Sequence, residues 1–201
     1  MNHPHFQDHD PSRKNTNTRG SGKHKVELAE TRDRQRPKRV SYDSLFLEGY
    51  HLWLRREFQK AFQVFEPLSR VTERGPRASI FMAHCAVSQQ KFRDCSAILT
   101  QALPNQDFEN AAAKLHDIFV FWKFTFYDDV RKGLEQFVDQ FPDLPTPALL
   151  LAELYSRACK DKKAAKYFLL ARERDYQNGA IGKIAKIRLA SLTNKGIELE
   201  N

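Results

Sequence analysis

The sequence predicts an all-α fold, namely an α-solenoid of about four helix pairs followed by a C-terminal capping helix. The first observation is an interval of 34 residues at which side chains of the same kind recur. The recurring sets are Phe58, Ala61 and Phe65 with Phe92, Cys95 and Leu99, and Gly49 and Leu52 with Ala83 and Ala86. The second observation is the spacing within each set, because a small residue between two large ones lets helices pack closely. This interval is the period of a helix–turn–helix repeat.

The composition is that of a folded domain with a tail. The chain has 201 residues, of which 41% are hydrophobic, and this content is sufficient for a core. No run approaches the roughly 18 apolar residues that cross a bilayer, and the N-terminus lacks the pattern of a secretory signal. Cys85, Cys95 and Cys159 lie in apolar helical patterns without disulfide or metal-ligand spacing. We therefore expect reduced, buried thiols and a cytoplasmic protein.

The chain divides into a basic tail, a repeat domain and a short polar end. Residues 1–40 carry ten Lys and Arg against five Asp and Glu, and they have almost no apolar periodicity. Such a segment cannot bury enough surface to offset its chain entropy, so we expect it to be disordered. The repeat domain with its cap is predicted for 41–194, and a polar C-terminal tail for 195–201.

Caps and helix breakers delimit the first two helix pairs. Ser41 precedes the apolar run that begins at Leu45, and it is a favoured type of N-cap residue. Gly75-Pro76 separates the pairs, and Pro104-Asn105 ends the second pair. The predicted helices are 42–55, 58–72, 76–89 and 92–103.

The third pair needs one extra residue in its register. Val130 and Leu134 then take the places that Ala61 and Phe65 have in the first pair. The first helix of this pair, predicted for 109–123, has bulky Ile118 and Phe121 where small or medium residues stand elsewhere. We expect this bulk to push the two helices apart.

The fourth pair returns to the earlier pattern, and a single helix follows it. Ala152 and Tyr155 mark the first helix of the pair, and Ala164, Phe168 and Ala171 mark the second. The final helix, predicted for 178–193, has one apolar stripe and one basic face. A terminal cap requires this pattern, since it covers the last repeat on one side and meets water on the other.

Residues 42–176 resemble the tetratricopeptide-repeat family. The resemblance is carried by Gly49, Leu52, Phe58, Ala61 and Phe65; Ala83, Ala86, Phe92, Cys95 and Leu99; Val130, Leu134 and Pro142; and Ala152, Tyr155, Ala164, Phe168 and Ala171. It implies a right-handed stack of helix pairs whose first helices line a concave groove that binds peptides or helices of other proteins. The length, the tail and the first two pairs are also similar to the small tetratricopeptide chaperones of bacterial type III secretion.

The first helices carry a second apolar stripe, which packing within a pair does not need. The stripe comprises Phe46, Tyr50 and Trp53, then Ile80, His84 and Val87, then Leu115, Phe119 and Trp122, and in the fourth pair Leu149, Glu153 and Ser156. By the geometry of the resembled family it faces the groove, and exposed aromatic rows normally mark interaction sites. We expect Phe46, Tyr50, Trp53, Ile80, His84, Leu115, Phe119 and Trp122 to bind a partner. The alternatives are that they thicken the core, or that the tail or a second copy covers them.

Function is predicted to be non-enzymatic. We find no catalytic constellation, phosphate-binding loop, metal motif or cofactor motif in the sequence. The predicted activity is that of a scaffold, adaptor or chaperone for a protein or peptide with an apolar segment, and a homo-oligomer is possible. The alternative is a nucleic-acid-associated protein that uses the basic tail for phosphate contacts.

Overall fold

A computed structural model describes residues 41–71, 74–103, 106–175 and 179–197; for residues 106–110 it describes the backbone and not the side chains. This part of the chain is helical, without strands. Its helices are α1 (Tyr42–Leu54), α2 (Phe58–Ser69), α3 (Gly75–Ser88), α4 (Phe92–Ala102), α5 (Gln106–Lys123), α6 (Tyr127–Gln140), α7 (Pro145–Arg157), α8 (Asp161–Arg174) and α9 (Ala180–Thr193). The predicted tail at 1–40 lies outside the described residues.

The helices pack in consecutive pairs, α1 with α2 through α7 with α8, and α9 packs on α8. This arrangement confirms the predicted all-α fold and is compatible with an α-solenoid. The predicted helix starts lie within three residues of the observed ones. The predicted N-cap is also confirmed, because the Ser41 side chain accepts a hydrogen bond of 3.1 Å from the Ser44 amide.

The turn between the two helices of each pair has the same geometry four times. A residue with positive φ stands at Arg56, Gln90, Thr125 and Cys159. The following amide donates to a carbonyl five residues back, in Glu57 to Leu52, Lys91 to Ala86, Phe126 to Phe121 and Lys160 to Tyr155, at 2.9 to 3.1 Å. These are the bonds of a Schellman motif, which satisfies the last carbonyls of a helix. The turns follow one another after 34, 35 and 34 residues, which matches the predicted register and its single insertion.

The small residues of the repeat lie at the contacts between helices. Ala61, Cys95, Val130 and Ala164 are fully buried. Gly49 lies against the Phe65 ring, where an added Cβ would come within 2.9 Å of a ring carbon. Packing inside each pair therefore depends on small side chains at these positions.

The third pair accommodates its bulky residues without a small side chain at the position that Gly49 has in the first pair. Ile118 is buried, and Gly133 on α6 lies against it, since an added Cβ at Gly133 would come within 2.9 Å of Ile118 Cγ1. Phe121 instead points outwards and is 45% exposed. The bulk of Ile118 is thus accommodated because Gly133 on α6 has no side chain, and the bulk of Phe121 is accommodated because its ring faces solvent.

The last helix contacts the first one. α9 packs on α8 as predicted, and it also contacts α7 and α1. Lys183 of α9 forms an ion pair with Asp43 of α1, and Arg77 of α3 forms one of 2.7 Å with Asp175 at the end of α8. α9 therefore joins the two ends of the array, in addition to covering the last pair.

Ordered backbone also continues beyond the predicted domain end at 194. A turn follows α9, with Gly196 at a φ of +81°, and the Ile197 amide donates to the Leu192 carbonyl at 3.3 Å. Ile197 packs against the core. The remaining part of the predicted polar tail, 198–201, lies outside the described residues.

The left-handed turn residues give a prediction about stability. Thr125 is β-branched and adopts a φ of +65°, a conformation that such residues rarely adopt and that glycine adopts without strain. We expect Thr125→Gly to raise the free energy of unfolding by about 1 kcal/mol in urea denaturation, despite the greater entropy of glycine in the unfolded chain.

The matched control for this prediction is Ala97→Gly, at an exposed position within α4. Glycine there should lower stability by about 1 kcal/mol. A loss of stability in Thr125→Gly similar to that in Ala97→Gly would contradict the turn geometry.

Candidate functional site

The eight residues predicted to line a groove do come together, but they do so inside the protein. Each of them is buried, and the most exposed, Trp122, is only 7% exposed. They lie on α1, α3 and α5, whose inward faces meet. They form part of the core cluster.

An aromatic group around His84 makes up one half of this interior. The His84 ring lies 5.1 Å from the Phe119 ring and 4.6 Å from the Trp122 ring, measured between centroids. The Trp53 indole Nε1 donates a hydrogen bond of 3.0 Å to His84 Nδ1. Burial and, to a smaller extent, the positive charge of Arg157 lower the pKa of His84 to about 3. His84 is therefore a neutral acceptor that orients Trp53.

A buried carboxylate makes up the other half. Glu153 on α7 is 1% exposed, and it accepts hydrogen bonds from the Tyr50 hydroxyl and from Arg188. Arg188 forms a bidentate contact with Glu153, in which Nε donates to Oε1 at 2.9 Å and Nη2 donates to Oε2 at 3.0 Å. Nη2 also donates to the Ser156 hydroxyl at 3.1 Å. Burial and the charge of Glu153 raise the pKa of Tyr50 well above its usual value. This network joins α1, α7 and α9.

The predicted groove is therefore not open, because its lining side chains are buried. These are Phe46, Tyr50, Trp53, Ile80, His84, Leu115, Phe119 and Trp122. The side chains fill the space between the first helices, and α7 and α9 close over α1. The physical reason is the Glu153 network, whose polar groups are satisfied only when these helices meet. Binding of a peptide by these residues stays a prediction, and it would require the interior to open.

A different aromatic group lies at the surface, where α5 turns into α6. We call Phe121, Phe124, Phe126 and Tyr127 the third-turn cluster; their exposed fractions are 45%, 56%, 54% and 46%. The rings of Phe121 and Phe126 meet edge to face at 6.2 Å, and Phe124 stacks on Phe92 at 6.5 Å. Sequence reasoning placed Phe121 inside the third pair and missed the cluster. The available signal was the run of aromatic residues at a turn that has no aromatic residue in the other pairs.

Two cavities open beside this cluster. The larger, of about 310 Å³, is lined by Arg56, Tyr127, Arg131 and Arg157 among others. The smaller, of about 160 Å³, shares Arg56, Tyr127 and Arg157 with it and adds Lys123 and both tryptophans of the chain. Each of the two cavities is lined by three positively charged side chains together with aromatic and smaller residues.

The cysteines differ in environment. Cys85 and Cys95 are buried, as expected, and burial raises the pKa of Cys95 to about 12. Cys159 is exposed, so the expectation of a buried thiol is wrong there. The reason is its place at the left-handed position of the fourth turn, which points away from the core. In the part of the chain that the structure describes, no group of three or more His, Cys, Asp and Glu could hold a metal ion.

Comparison with known proteins adds no relative. Neither a protein-family model, nor a curated protein, nor a solved structure matches the chain. Among the described helices, none is both long enough and apolar enough to cross a membrane.

The Glu153 network gives a second prediction. Arg188→Ala would leave a carboxylate buried without its charged partner, and we expect a loss of about 3–5 kcal/mol in the free energy of unfolding, measured in urea. The double variant Arg188→Met with Glu153→Leu removes both charges and should lose less than the single variant.

Arg172→Ala is the control for this experiment, because Arg172 is exposed on α8. It should change stability by no more than about 0.5 kcal/mol. Equal losses in Arg188→Ala and Arg172→Ala would show that the pair with Glu153 does not hold the helices together.

The neutral His84 gives a third prediction, concerning pH. Its pKa is about 3 in the folded protein and near the ordinary 6.5 in the unfolded chain. The unfolded chain therefore binds the extra proton, so His84 favours the folded state fully above pH 6.5 and progressively less as the pH falls towards 3. Between pH 6.5 and 5 the free energy of unfolding should fall by about 2 kcal/mol.

His84→Gln tests the source of that loss, because glutamine offers an acceptor to Trp53 and does not titrate. The pH dependence between 6.5 and 5 should then be weaker than in the wild type. His51→Gln, at an exposed position on α1, keeps His84 and should keep the loss. Parallel pH profiles for the wild type and His84→Gln would refute the assignment.

Proposed function

We propose that this chain is a non-enzymatic helical-repeat scaffold of the tetratricopeptide type that binds another protein. Support for the family comes from the four equivalent turns, which recur after 34, 35 and 34 residues, and from the buried small residues at each helix contact. A fold of this kind does not by itself specify a partner, so the binding surface has to be argued from side chains.

The third-turn cluster is the observation that carries the proposal. The four turns have the same backbone geometry, so equivalent positions can be compared directly. Where the third turn has Phe124, the others have Arg55, Gln89 and Ala158; where it has Phe126, they have Glu57, Lys91 and Lys160. The turn therefore does not require an aromatic residue at either place.

Exposed aromatic residues that the fold does not require are best explained by an interface. Phe124 and Phe126 are each more than half exposed, and exposed apolar surface that the fold does not require marks binding sites on soluble proteins. Aromatic side chains are also enriched in protein interfaces and their hot spots. The partner that this chemistry fits is a protein segment with apolar side chains, which is the class that the sequence predicts.

The third-turn cluster is a better candidate than the predicted groove. A peptide in the groove would have to displace the contacts of Glu153 with Tyr50 and Arg188. A partner at the cluster would cover rings that already face solvent. The nucleic-acid alternative depends on residues 1–40, which lie outside the described part of the chain, and it stays a prediction.

The fourth prediction tests this surface. The full chain and its double variant Phe124→Ser with Phe126→Ser are used in parallel as bait in extracts of the source cells. We expect a defined protein to bind the wild type and to be depleted at least about tenfold on the double variant, as befits loss of hot-spot residues. The melting temperature of the variant should stay close to that of the wild type, because both rings are exposed.

The control variant is Ile187→Ser, which removes an apolar side chain that is 57% exposed on α9. It should retain the partner. Sedimentation of the purified chain tests whether that partner is a second copy, in which case association should disappear in the double variant. Equal recovery of every protein on the wild type and the double variant, with no change in association state, would refute the proposal.

A further inference from the structure

The two cavities beside the third-turn cluster form one continuous basic surface. They share Arg56, Tyr127 and Arg157, so these three side chains stand between them. Arg131 belongs to the larger cavity and Lys123 to the smaller. The described residues that line the two cavities include four positive side chains and no Asp or Glu.

Two of the four positive side chains form no ion pair with a carboxylate among the described residues. Arg131 forms an ion pair with Asp128, and the Lys123 ammonium donates to the Ser88 carbonyl at 2.9 Å. Arg56 and Arg157 form no ion pair with any carboxylate in the part of the chain that the structure describes. Their hydrogen-bond donors therefore remain for another acceptor.

Both of these arginines line the same two cavities. Arg56 occupies the left-handed position of the first turn, which the Glu57-to-Leu52 hydrogen bond of 2.9 Å secures. The Arg157 guanidinium carbon lies 5.0 Å from the centre of the Trp53 ring. Partial burial lowers the pKa of Arg157, the negative charge of Glu153 raises it, and the positive charge of Arg56 lowers it. An anion between the two guanidinium groups would relieve this repulsion.

We propose that this surface binds the phosphoryl group of a small anionic ligand. One guanidinium fork can take both oxygens of a carboxylate, so two forks offer more donors than a single carboxylate can use. A phosphoryl group presents three acceptor oxygens and close to two negative charges, which matches Arg56 and Arg157 together. Tyr127 provides an exposed aromatic ring beside the charges.

This inference is independent of the proposed protein binding. Phe124 and Phe126, which carry that proposal, line neither cavity. The two sites can therefore be removed separately, and failure of one experiment does not decide the other.

The fifth prediction uses the tryptophans as reporters. Both tryptophans of the chain line the smaller cavity, so ligand bound at Arg157 should change their fluorescence. The full chain is titrated with inorganic phosphate, pyrophosphate and ATP in a buffer free of phosphate and sulfate, and calorimetry confirms each affinity. We expect saturable binding of at least one phosphoryl ligand. Arg56→Gln and Arg157→Gln should each weaken it about tenfold or more, since hydrogen bonds to charged groups are strong.

Three comparisons keep the proposal falsifiable. Arg93→Gln removes a charge from an exposed position on α4 that lines neither cavity, and it should leave the affinity unchanged. Arg157→Lys keeps the charge but loses the fork, and it should bind more weakly while remaining folded by circular dichroism. Glutamate serves as the carboxylate probe and should not compete.

The proposal is overturned by three results. The first is no saturable change up to about 10 mM of any phosphoryl ligand, well above the range of weak specific binding. The second is an affinity that falls as much in Arg93→Gln as in Arg56→Gln and Arg157→Gln, which would indicate general attraction to a basic chain. The third is equal binding of glutamate.

Discussion

The buried carboxylate of Glu153 is the constraint on which the interior of this protein depends. A carboxylate that is removed from water has to be matched by donors, or its desolvation destabilises the fold. Its donors come from the two ends of the array, because Tyr50 lies on α1 and Arg188 on α9. The helices that carry them are therefore held around α7. This closure buries the inward stripe of α1, α3 and α5, and it turns a surface that an open array would expose into core.

Polar contacts between the helices fix their packing more uniquely than apolar contacts would. Apolar side chains tolerate several packings of similar energy, whereas a two-armed contact between Arg188 and Glu153 at 2.9 and 3.0 Å has one geometry. The hydrogen bond from Trp53 to the neutral His84 adds the same directional constraint next to it. Both interactions make α1, α3, α7 and α9 fit in one register, so the interior has a defined shape.

The sequence was sufficient to predict contacts within one helix pair, but not contacts between residues that are far apart in the chain. Contacts such as that of Gly49 with Phe65 join residues of one helix pair. Equivalent residues therefore recur in each pair, and the sequence repeat predicts these contacts. The contact of Tyr50 with Glu153 spans 103 positions, and no periodicity reports on such a pair. The sequence distinguishes a second apolar stripe from the first, but its pattern does not say what covers it. The signal that was present was Glu153 itself, a charged residue on an otherwise apolar inward stripe.

At the surface, a comparison of the four turns separates the side chains that the fold requires from those that it does not. Because the four turns repeat one backbone geometry, the demands of the fold on each turn are the same, and differences between their side chains come from elsewhere. Thr125 adopts the left-handed conformation although it is β-branched, and Phe124 and Phe126 beside it are exposed. None of these choices favours stability in water. Tyr127, which follows them, belongs both to the third-turn cluster and to the basic cavities. Four of the exposed large apolar side chains thus lie where α5 turns into α6, and this is the surface at which we propose binding.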